Sequence, residues 1–297
     1  MSGISAAAGV SAAGVGGRQD LDPSFFEHLL NDVALVTLDE AAKKMDKVQF
    51  FHGGHQAQRT FEYEQVRELL RGCVVWAKSK GQAQGQELYD ARVALQAAMG
   101  EVLGMEGIAA IRFWTCSPVC YAFNSVMRSP GRSRESVDPV LAYGKLLFAA
   151  LHALPARFLF QGTLFRGETC VMHTWQEKKE RLDRKEDVRH FFYVPTSFSV
   201  KMERAADFKA AAVATGADRT FFTLNGAAGY YLKEFSSYAY EEEVLVEPVC
   251  CCAVLSMEIP QEQYPGENLR GLHTMELRVR PGIRLCLCLC LRADDGA

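Results

Sequence analysis

Residues 138–167 read DPVLAYGKLLFAALHALPARFLFQGTLFRG, and the change of pattern within this stretch predicts the fold. Its first half is strongly apolar, and we predict a helix there with Asp138 as N-cap and Pro139 as its first residue. Pro155 prevents that helix from continuing. The run from Phe158 to Phe165 is short, apolar and aromatic, which is typical of a buried strand.

The residues before this stretch have the pattern of helices. Apolar residues recur at helical spacing from Phe61 to Lys78 and from Leu88 to Leu103, where Gly104 is predicted as the stop. Two further helices are predicted, from Ile108 to Thr115 and from Val119 to Arg128. The first half of the chain is therefore expected to be helical.

The residues after the stretch have the pattern of strands, separated by glycine, proline or charged turns. The predicted strands are Phe191 to Val200, Thr220 to Leu224, Glu243 to Val249, Ala253 to Ile259, and a pair within Glu276 to Leu291 that turns at Pro281-Gly282. Helices followed by strands predict an α+β fold, in which a helical N-terminal lobe packs on a mostly antiparallel β-sheet core. No G-x-G-x-x-G fingerprint is present, so a Rossmann cofactor site is not expected.

The composition predicts one domain behind a short tail. Residues 1–20 are rich in glycine, alanine and serine and are expected to be disordered, followed by a helical lobe at about 21–155 and a β-rich lobe at about 156–297. The tail lacks the basic region of a signal peptide and no run is long enough for a membrane span, so a cytoplasmic protein is expected. The net charge of −3 predicts no general affinity for nucleic acid or anionic membranes.

The ten cysteines are not spaced like a zinc site. Cys250–Cys252 are consecutive, Cys286–Cys290 alternate cysteine with leucine, and Cys116 and Cys120 stand four apart with no second ligand pair. His52–His55 lacks an acidic or thiolate residue nearby. We therefore expect buried free thiols and no metal.

The first motif that could bind a ligand or take part in a reaction is Leu-Phe-Arg-Gly, which places Arg166 at the end of the predicted strand. Arginine presents a planar fork of donors that matches phosphate oxygens, and Gly167 lets backbone approach a ligand closely. A structural ion pair between Arg166 and a carboxylate is the alternative.

The second motif is Thr-Ser-Phe-Ser at residues 196–199. Alternation along a strand puts Ser197 and Ser199 on one face, where two hydroxyls can order a carboxylate or a sugar. A solvated face of an edge strand is the alternative.

The third motif is three consecutive glutamates, residues 241–243, that run directly into an apolar strand. On an extended strand Glu241 and Glu243 point to the same side, where two carboxylates suit a cationic ligand and shift each other's pKa values. An exposed acidic patch is the alternative.

Taken in this order, the motifs resemble the signature of the arginine-specific mono-ADP-ribosyltransferases. The upstream Gly-x-x-Gly at 226–229 and Lys-Glu-Phe-Ser at 233–236 are similar to that family as well. So are the helical segments at 109–115 and 121–124, so that the resemblance covers roughly residues 63–255. The middle motif departs from the family, because Phe198 stands where a threonine is usual, and Pro195 precedes it where an aromatic residue is more usual.

The resemblance implies a transferase that consumes NAD as a substrate and modifies arginine on an acceptor protein. Arg166 would contact the NAD phosphates or the adjacent ribose, and Ser197 would hold Glu243, which would face the cation that forms as nicotinamide leaves. Glu241 would orient the acceptor guanidinium and take up its proton. Gly167 and Ser199 are also expected to bind NAD. The loop that faces the acceptor protein is expected to carry Tyr238 or Tyr240 as its exposed ring.

Two other functions stay open from the sequence. An NAD glycohydrolase would use water in place of the acceptor arginine, and a binding module of the same fold would hold NAD, ADP-ribose or a protein without catalysis. The sequence identifies neither the acceptor protein nor the oligomeric state.

Overall fold

The computed structural model describes residues 29–51, 58–83, 85–128, 133–169, 172–207, 219–248, 250–258 and 273–280. The predicted tail at 1–20, the histidine cluster at 52–55, the turn at 281–282 and the cysteines at 286–290 lie outside these residues.

Helices dominate the first half of the chain, as the sequence predicts. They are α1 (Leu38–Lys44), α2 (Tyr63–Ala83), α3 (Gly85–Met99), α4 (Glu101–Trp114), α5 (Ser117–Arg128) and α6 (Arg134–His152), with the short antiparallel strands β1 (Gln49–Phe51) and β2 (Gln58–Thr60) between α1 and α2. Among the described residues, no helix is long and apolar enough to cross a membrane.

The second half forms a seven-stranded sheet with two further helices. The strands are β3 (Leu159–Thr169), β4 (Arg189–Phe192), β5 (Thr196–Ser199), β6 (Arg219–Tyr231), β7 (Glu243–Val246), β8 (Cys250–Glu258) and β9 (His273–Val279), and the helices are α7 (Met172–Asp183) and α8 (Met202–Asp207). The strand order is β3-β5-β7-β6-β9-β8-β4, and β3 also pairs with β6. Only the β6–β9 pair is parallel among these described strands, so the α+β fold with a mostly antiparallel sheet is confirmed.

Two large apolar cores and one small cluster among the described residues stabilise this arrangement. The larger lies among the helices, where Phe113, Phe123 and Tyr143 are fully buried with their rings edge to face. It also takes in Leu232 and Phe235, which follow β6, so the chain just after β6 packs into the helical core. The smaller core packs sheet residues against Trp175 of α7.

The start of α6 differs from the prediction. The helix begins at Arg134, and its N-cap is Ser133, whose hydroxyl accepts from the backbone N–H of Ser136 while the Ser136 hydroxyl accepts from that of Ser133. Asp138 as N-cap is therefore wrong. Pro139 lies inside the helix, where its missing N–H removes one bond without ending the helix.

The second predicted helix ends earlier than the sequence suggested. Gly100, with a φ of 81°, separates α3 from α4, because glycine adopts this left-handed conformation without a side-chain clash. Gly104 as the stop is wrong, since it lies within α4, where a Cβ would come within 2.7 Å of the Gln96 backbone. Because Gly104 has no side chain, α3 and α4 can approach each other closely.

The predicted strand from Phe191 to Val200 is two strands. β4 pairs with β8 at one edge of the sheet, whereas β5 pairs with β3 and β7 at the other end. The break falls at 193–195, where Pro195 has no N–H to donate to a neighbouring strand.

Candidate active site

The sheet order brings the three motifs of the sequence together. Arg166 lies on β3, Ser197 on β5 and Glu243 at the start of β7, three strands that are hydrogen-bonded neighbours. Ser199 is the residue directly opposite Glu243 in the β5–β7 pair. Residues far apart in the sequence therefore meet at one end of the sheet.

Glu243 is a buried carboxyl group, with 8% of its surface exposed. The Ser197 hydroxyl donates a hydrogen bond to its Oε1. Burial raises the pKa of Glu243, while the Ser197 hydrogen bond and the positive charge of Arg166 act in the opposite direction. The carboxyl group of Glu243 is therefore poorly hydrated and lies near the positive charge of Arg166.

Arg166 forms the structural ion pair that the sequence left open, and it also faces the site. Its Nη1 donates to the carbonyl of Ser197 at 2.6 Å, and its Nε donates to Glu168 Oε2 at 3.0 Å. Arg128 of α5 lies 3.9 Å from the other oxygen of Glu168. Burial would raise the pKa of Glu168, but Arg166 and Arg128 together hold it below its usual value.

Ser199 and Gly167 have packing roles at this end of the sheet. The Ser199 hydroxyl donates to the carbonyl of Glu241 at 2.8 Å and accepts from the N–H of Lys201 at 3.0 Å. At Gly167 a Cβ would come within 2.6 Å of the Ala205 carbonyl, so glycine makes room for α8 against β3. Contacts of these two residues with NAD stay predictions.

The three glutamates are not part of one extended strand, so the predicted alternation is wrong. Ala239–Glu241 form a 3₁₀ turn, and Glu242 adopts a left-handed conformation with φ 48° and ψ 53°. Glu243 then begins β7. The chain turns sharply between the outer two glutamates, which alternation cannot describe.

Glu241 is nevertheless close enough to Glu243 for their charges to interact. Partial burial, followed by the negative charge of Glu243, raises the pKa of Glu241 from 4.5 to about 7. Glu241 therefore changes its charge near neutral pH, whereas an exposed glutamate is ionised there.

Side chains of helix α5 lie near the site, and the sequence did not assign them a role. Burial raises the pKa of Cys120 to about 12, and the nearby charge of Glu243 acts in the same direction. Burial also raises the pKa of Tyr121, which lies within the electrostatic influence of Arg166 and Glu241. Tyr121 and Arg128 stand seven residues apart, the spacing of one helix face, which was the available signal.

The loop between β6 and β7 is hydrogen-bonded to the helical half of the chain. Arg112 of α4 donates through Nη1 to the carbonyl of Phe235 at 3.0 Å and lies 4.3 Å from the ring centre of Trp76. The N–H of Ser237 donates to Thr115 Oγ1 at 3.2 Å. Beyond these contacts, Tyr238 and Tyr240 are exposed, with their rings edge to face.

No group of three or more histidine, cysteine, aspartate or glutamate side chains that could hold a metal ion occurs among the described residues. In the part of the chain that the structure describes, no disulfide involves the cysteines, namely Cys73, Cys116, Cys120, Cys250, Cys251 and Cys252.

The sequence of the chain identifies a class of enzymes that transfer ADP-ribose. Residues 55–264 match the sequence profile of the NAD:arginine ADP-ribosyltransferases, and the chain therefore belongs to this family. The family uses NAD as its substrate. The resemblance that the motifs indicated is confirmed.

Several solved structures are similar to this chain. The type III effector XopAI from Xanthomonas axonopodis pv. citri is similar over 87% of this chain and 90% of its own, with 17% identity and a TM-score of 0.52, a likeness that shows the fold alone. HopU1 of Pseudomonas syringae pv. Tomato DC3000 covers 83% of this chain and 99% of its own, with 14% identity and a TM-score of 0.49. Vis from Vibrio splendidus covers 74% and 86%, with 18% identity and a TM-score of 0.47. No curated protein sequence matches the chain significantly.

Proposed function

We propose that this protein transfers ADP-ribose from NAD to an arginine side chain of an acceptor protein, with release of nicotinamide. Family membership supports NAD-dependent ADP-ribosyl transfer. The observation that carries the assignment of the site is Glu243, a buried carboxyl group that accepts from Ser197 and lies near Arg166. Arg166, Ser197, Glu241 and Glu243 are the proposed catalytic residues.

Glu243 is proposed to act on the ribose that carries nicotinamide. Loss of nicotinamide leaves a cation with oxocarbenium character on that ribose, and a carboxylate stabilises it, as in glycosidases. The attraction is strong because Glu243 is poorly hydrated, so water screens its charge weakly. Glu243 would also accept a hydrogen bond from the ribose 2′-hydroxyl, while Ser197 keeps the carboxylate in position.

Arg166 is proposed to bind the phosphates of NAD, with Arg128 as a second cation. A guanidinium offers five donors, and the contacts of Arg166 with Ser197 and Glu168 use its Nη1 and Nε. Donors therefore remain for phosphate oxygens. Glu168 holds both arginines in one region through its two oxygens, which concentrates positive charge there.

Glu241 is proposed to receive the proton that the acceptor guanidinium loses when its nitrogen attacks the ribose. Arginine is a very weak acid, so the base must act as the new bond forms. A pKa of about 7 is well suited to a base that works near neutral pH. The exposed rings of Tyr238 and Tyr240 lie in the same loop and would contact the acceptor.

The test follows the ADP-ribose portion of labelled NAD in the presence of agmatine, a small guanidine acceptor. The proposal predicts nicotinamide release together with label on agmatine. Nicotinamide release with the label only in free ADP-ribose would identify a glycohydrolase. Binding of NAD without nicotinamide release would identify a non-catalytic module, and either result would overturn the proposal.

A further inference from the structure

Glu242 stands between the two glutamates of the site in an unfavourable backbone conformation. Its φ of 48° is in the left-handed region, where a side chain clashes with the backbone and glycine is usual. Such a conformation persists only where the surrounding contacts hold it. The structure identifies those contacts.

Two lysines hold the side chain of Glu242. Lys201, just after β5, lies 2.9 Å from Glu242 Oε1, and Lys233, just after β6, lies 3.4 Å from the same oxygen. The Glu242 side chain is 16% exposed, whereas the side chains of Lys201 and Lys233 are 51% and 40% exposed, so solvent screens both ion pairs in part. The hydrogen bond and charge of Lys201 hold the pKa of Glu242 below its usual value.

The backbone of the turn is held at the same place. The carbonyl of Glu242 accepts from the N–H of Val200 at 3.3 Å, and the carbonyl of Glu241 accepts from the Ser199 hydroxyl. The end of β5 therefore contacts both residues, through Ser199 and Val200 on the backbone and Lys201 on the side chain. This arrangement sets the direction in which the 3₁₀ turn with Glu241 leaves the start of β7, while Glu243 itself is held by the pairing of β7 with β5.

The three glutamates consequently have three different environments. The lysines compensate the charge of Glu242, whereas Glu241 and Glu243 repel each other and have raised pKa values. The turn at Glu242 determines how Glu241 is presented relative to Glu243, since it is the one residue that joins them.

We propose that Glu242 is a positioning residue, and that its left-handed turn, held by Lys201 and Lys233, aligns Glu241 so that ADP-ribose passes to arginine rather than to water. This inference rests on the proposed function. Glu242 itself touches neither substrate, and its effect is on the partition between the two acceptors.

The experiment measures agmatine modification, free ADP-ribose and the KM for NAD in Glu242→Ala and Glu242→Gly. Alanine loses the lysine contacts and disfavours the left-handed turn, so transfer to agmatine should fall by on the order of 100-fold, as expected for a misplacement of about 1 Å. Free ADP-ribose formation and the KM for NAD should stay within about twofold, because Glu243 and Arg166 are untouched. Glycine accepts the turn, so Glu242→Gly should recover part of the transfer.

Lys201→Ala tests the same inference through an exposed side chain, in case the variants at Glu242 do not fold. It should lower the ratio of transfer to hydrolysis in the same direction. Lys185→Ala is the matched control for Glu242→Ala. Lys185, like Glu242, has a positive φ, of 62°, but it lies in the turn after α7. It should leave the ratio unchanged.

An unchanged ratio in both Glu242→Ala and Lys201→Ala would overturn the inference. So would an equal loss of transfer and hydrolysis in folded Glu242→Ala, since that result indicates general support of the site. Failure of the proposed function is distinct, because the unmodified protein would then not label agmatine.

Discussion

At the scale of single residues, Glu243 combines burial with contacts that favour its charged form. Burial disfavours the carboxylate, while Ser197 and Arg166 stabilise it, so the local structure sets a balance between the two forms. A carboxylate in this environment attracts a developing cation more strongly than a hydrated one does. The proposed chemistry depends on this balance.

Glu243→Gln is expected to lower nicotinamide release by on the order of 100- to 1000-fold, the usual cost of losing one electrostatic contact to a transition state. The amide keeps the shape and the hydrogen-bonding capacity of the side chain but has no negative charge. Chromatographic measurement of nicotinamide, with circular dichroism to verify the fold, checks this prediction. Undiminished release by a folded variant would remove Glu243 from the mechanism.

The pKa of Glu241 predicts how transfer depends on pH. A carboxyl group with a pKa of about 7 is mostly protonated below that pH and mostly ionised above it, and only the ionised form can accept the guanidinium proton. The ratio of agmatine transfer to NAD hydrolysis should therefore rise as the pH rises through about 7. In Glu241→Gln this ratio should be low and independent of pH, while slow hydrolysis continues. A pH-independent ratio in the unmodified protein would argue against Glu241 as the base.

The sequence could predict which residues the structure brings together at the candidate site, but not their geometry. The order of the arginine, serine and glutamate motifs was enough to indicate Arg166, Ser197 and Glu243. The turn between Glu241 and Glu243 could not be foreseen, because its left-handed residue is a glutamate and its support comes from Lys201 and Lys233. A pattern within one segment contains no information about lysines on other elements.

At the scale of elements, the two ends of α6 were predicted with unequal success. Its end before Pro155 follows from the restriction that proline places on the preceding residue. Its start was predicted with Asp138 as the N-cap, because Pro139 follows that residue. Ser133 forms the cap instead, since reciprocal bonds with Ser136 satisfy two backbone N–H groups.

This difference yields a prediction about stability. Ser133→Ala should lower the free energy of unfolding by ~1 kcal/mol, because an N–H at the start of α6 loses its acceptor. Asp138→Ala should change it by less than about 0.5 kcal/mol, as for most exposed positions without such a role. Urea unfolding of both variants provides the comparison. A larger effect at Asp138 than at Ser133 would contradict the observed cap.

The strand prediction failed where a proline interrupts one apolar run. Phe191 to Val200 has the composition of a single strand, yet β4 and β5 lie far apart in the strand order. The partners of a strand are selected by contacts with distant segments, which a local pattern does not contain. The α+β class was predictable because it depends on element types and their order alone.

At the scale of the whole molecule, the helical lobe and the sheet are joined at the proposed acceptor loop. Phe235 is fully buried in the helical core and its carbonyl accepts from Arg112, while residues just beyond it carry the exposed tyrosines and Glu241. The helices thus fix one end of the loop, and β5 and β7 fix the other. The proposed NAD site also draws on both lobes, with Arg128 from α5 and Arg166 from β3.

A ligand that contacts both lobes should stabilise the folded molecule as a whole. In the Glu243→Gln protein, which should consume NAD only slowly, a concentration of 100 times the dissociation constant should add about 2.7 kcal/mol to the free energy of unfolding. Thermal unfolding with increasing NAD should therefore show a rise in Tm. Arg166→Lys in the same background should require a much higher NAD concentration for the same rise, because a bidentate fork is replaced by a point charge.

Arg184→Lys is the matched control for this measurement. Arg184 pairs with Glu186 two residues away at 2.8 Å, as Arg166 pairs with Glu168 at 3.0 Å, but it lies in the exposed turn after α7. The control should respond to NAD like the Glu243→Gln protein alone. Equal NAD dependence in the Arg166 and Arg184 variants would mean that Arg166 serves only the ion pair with Glu168. The phosphates would then have to be bound by other cations of the site, with Arg128 as the first to substitute, because it is the other arginine paired with Glu168.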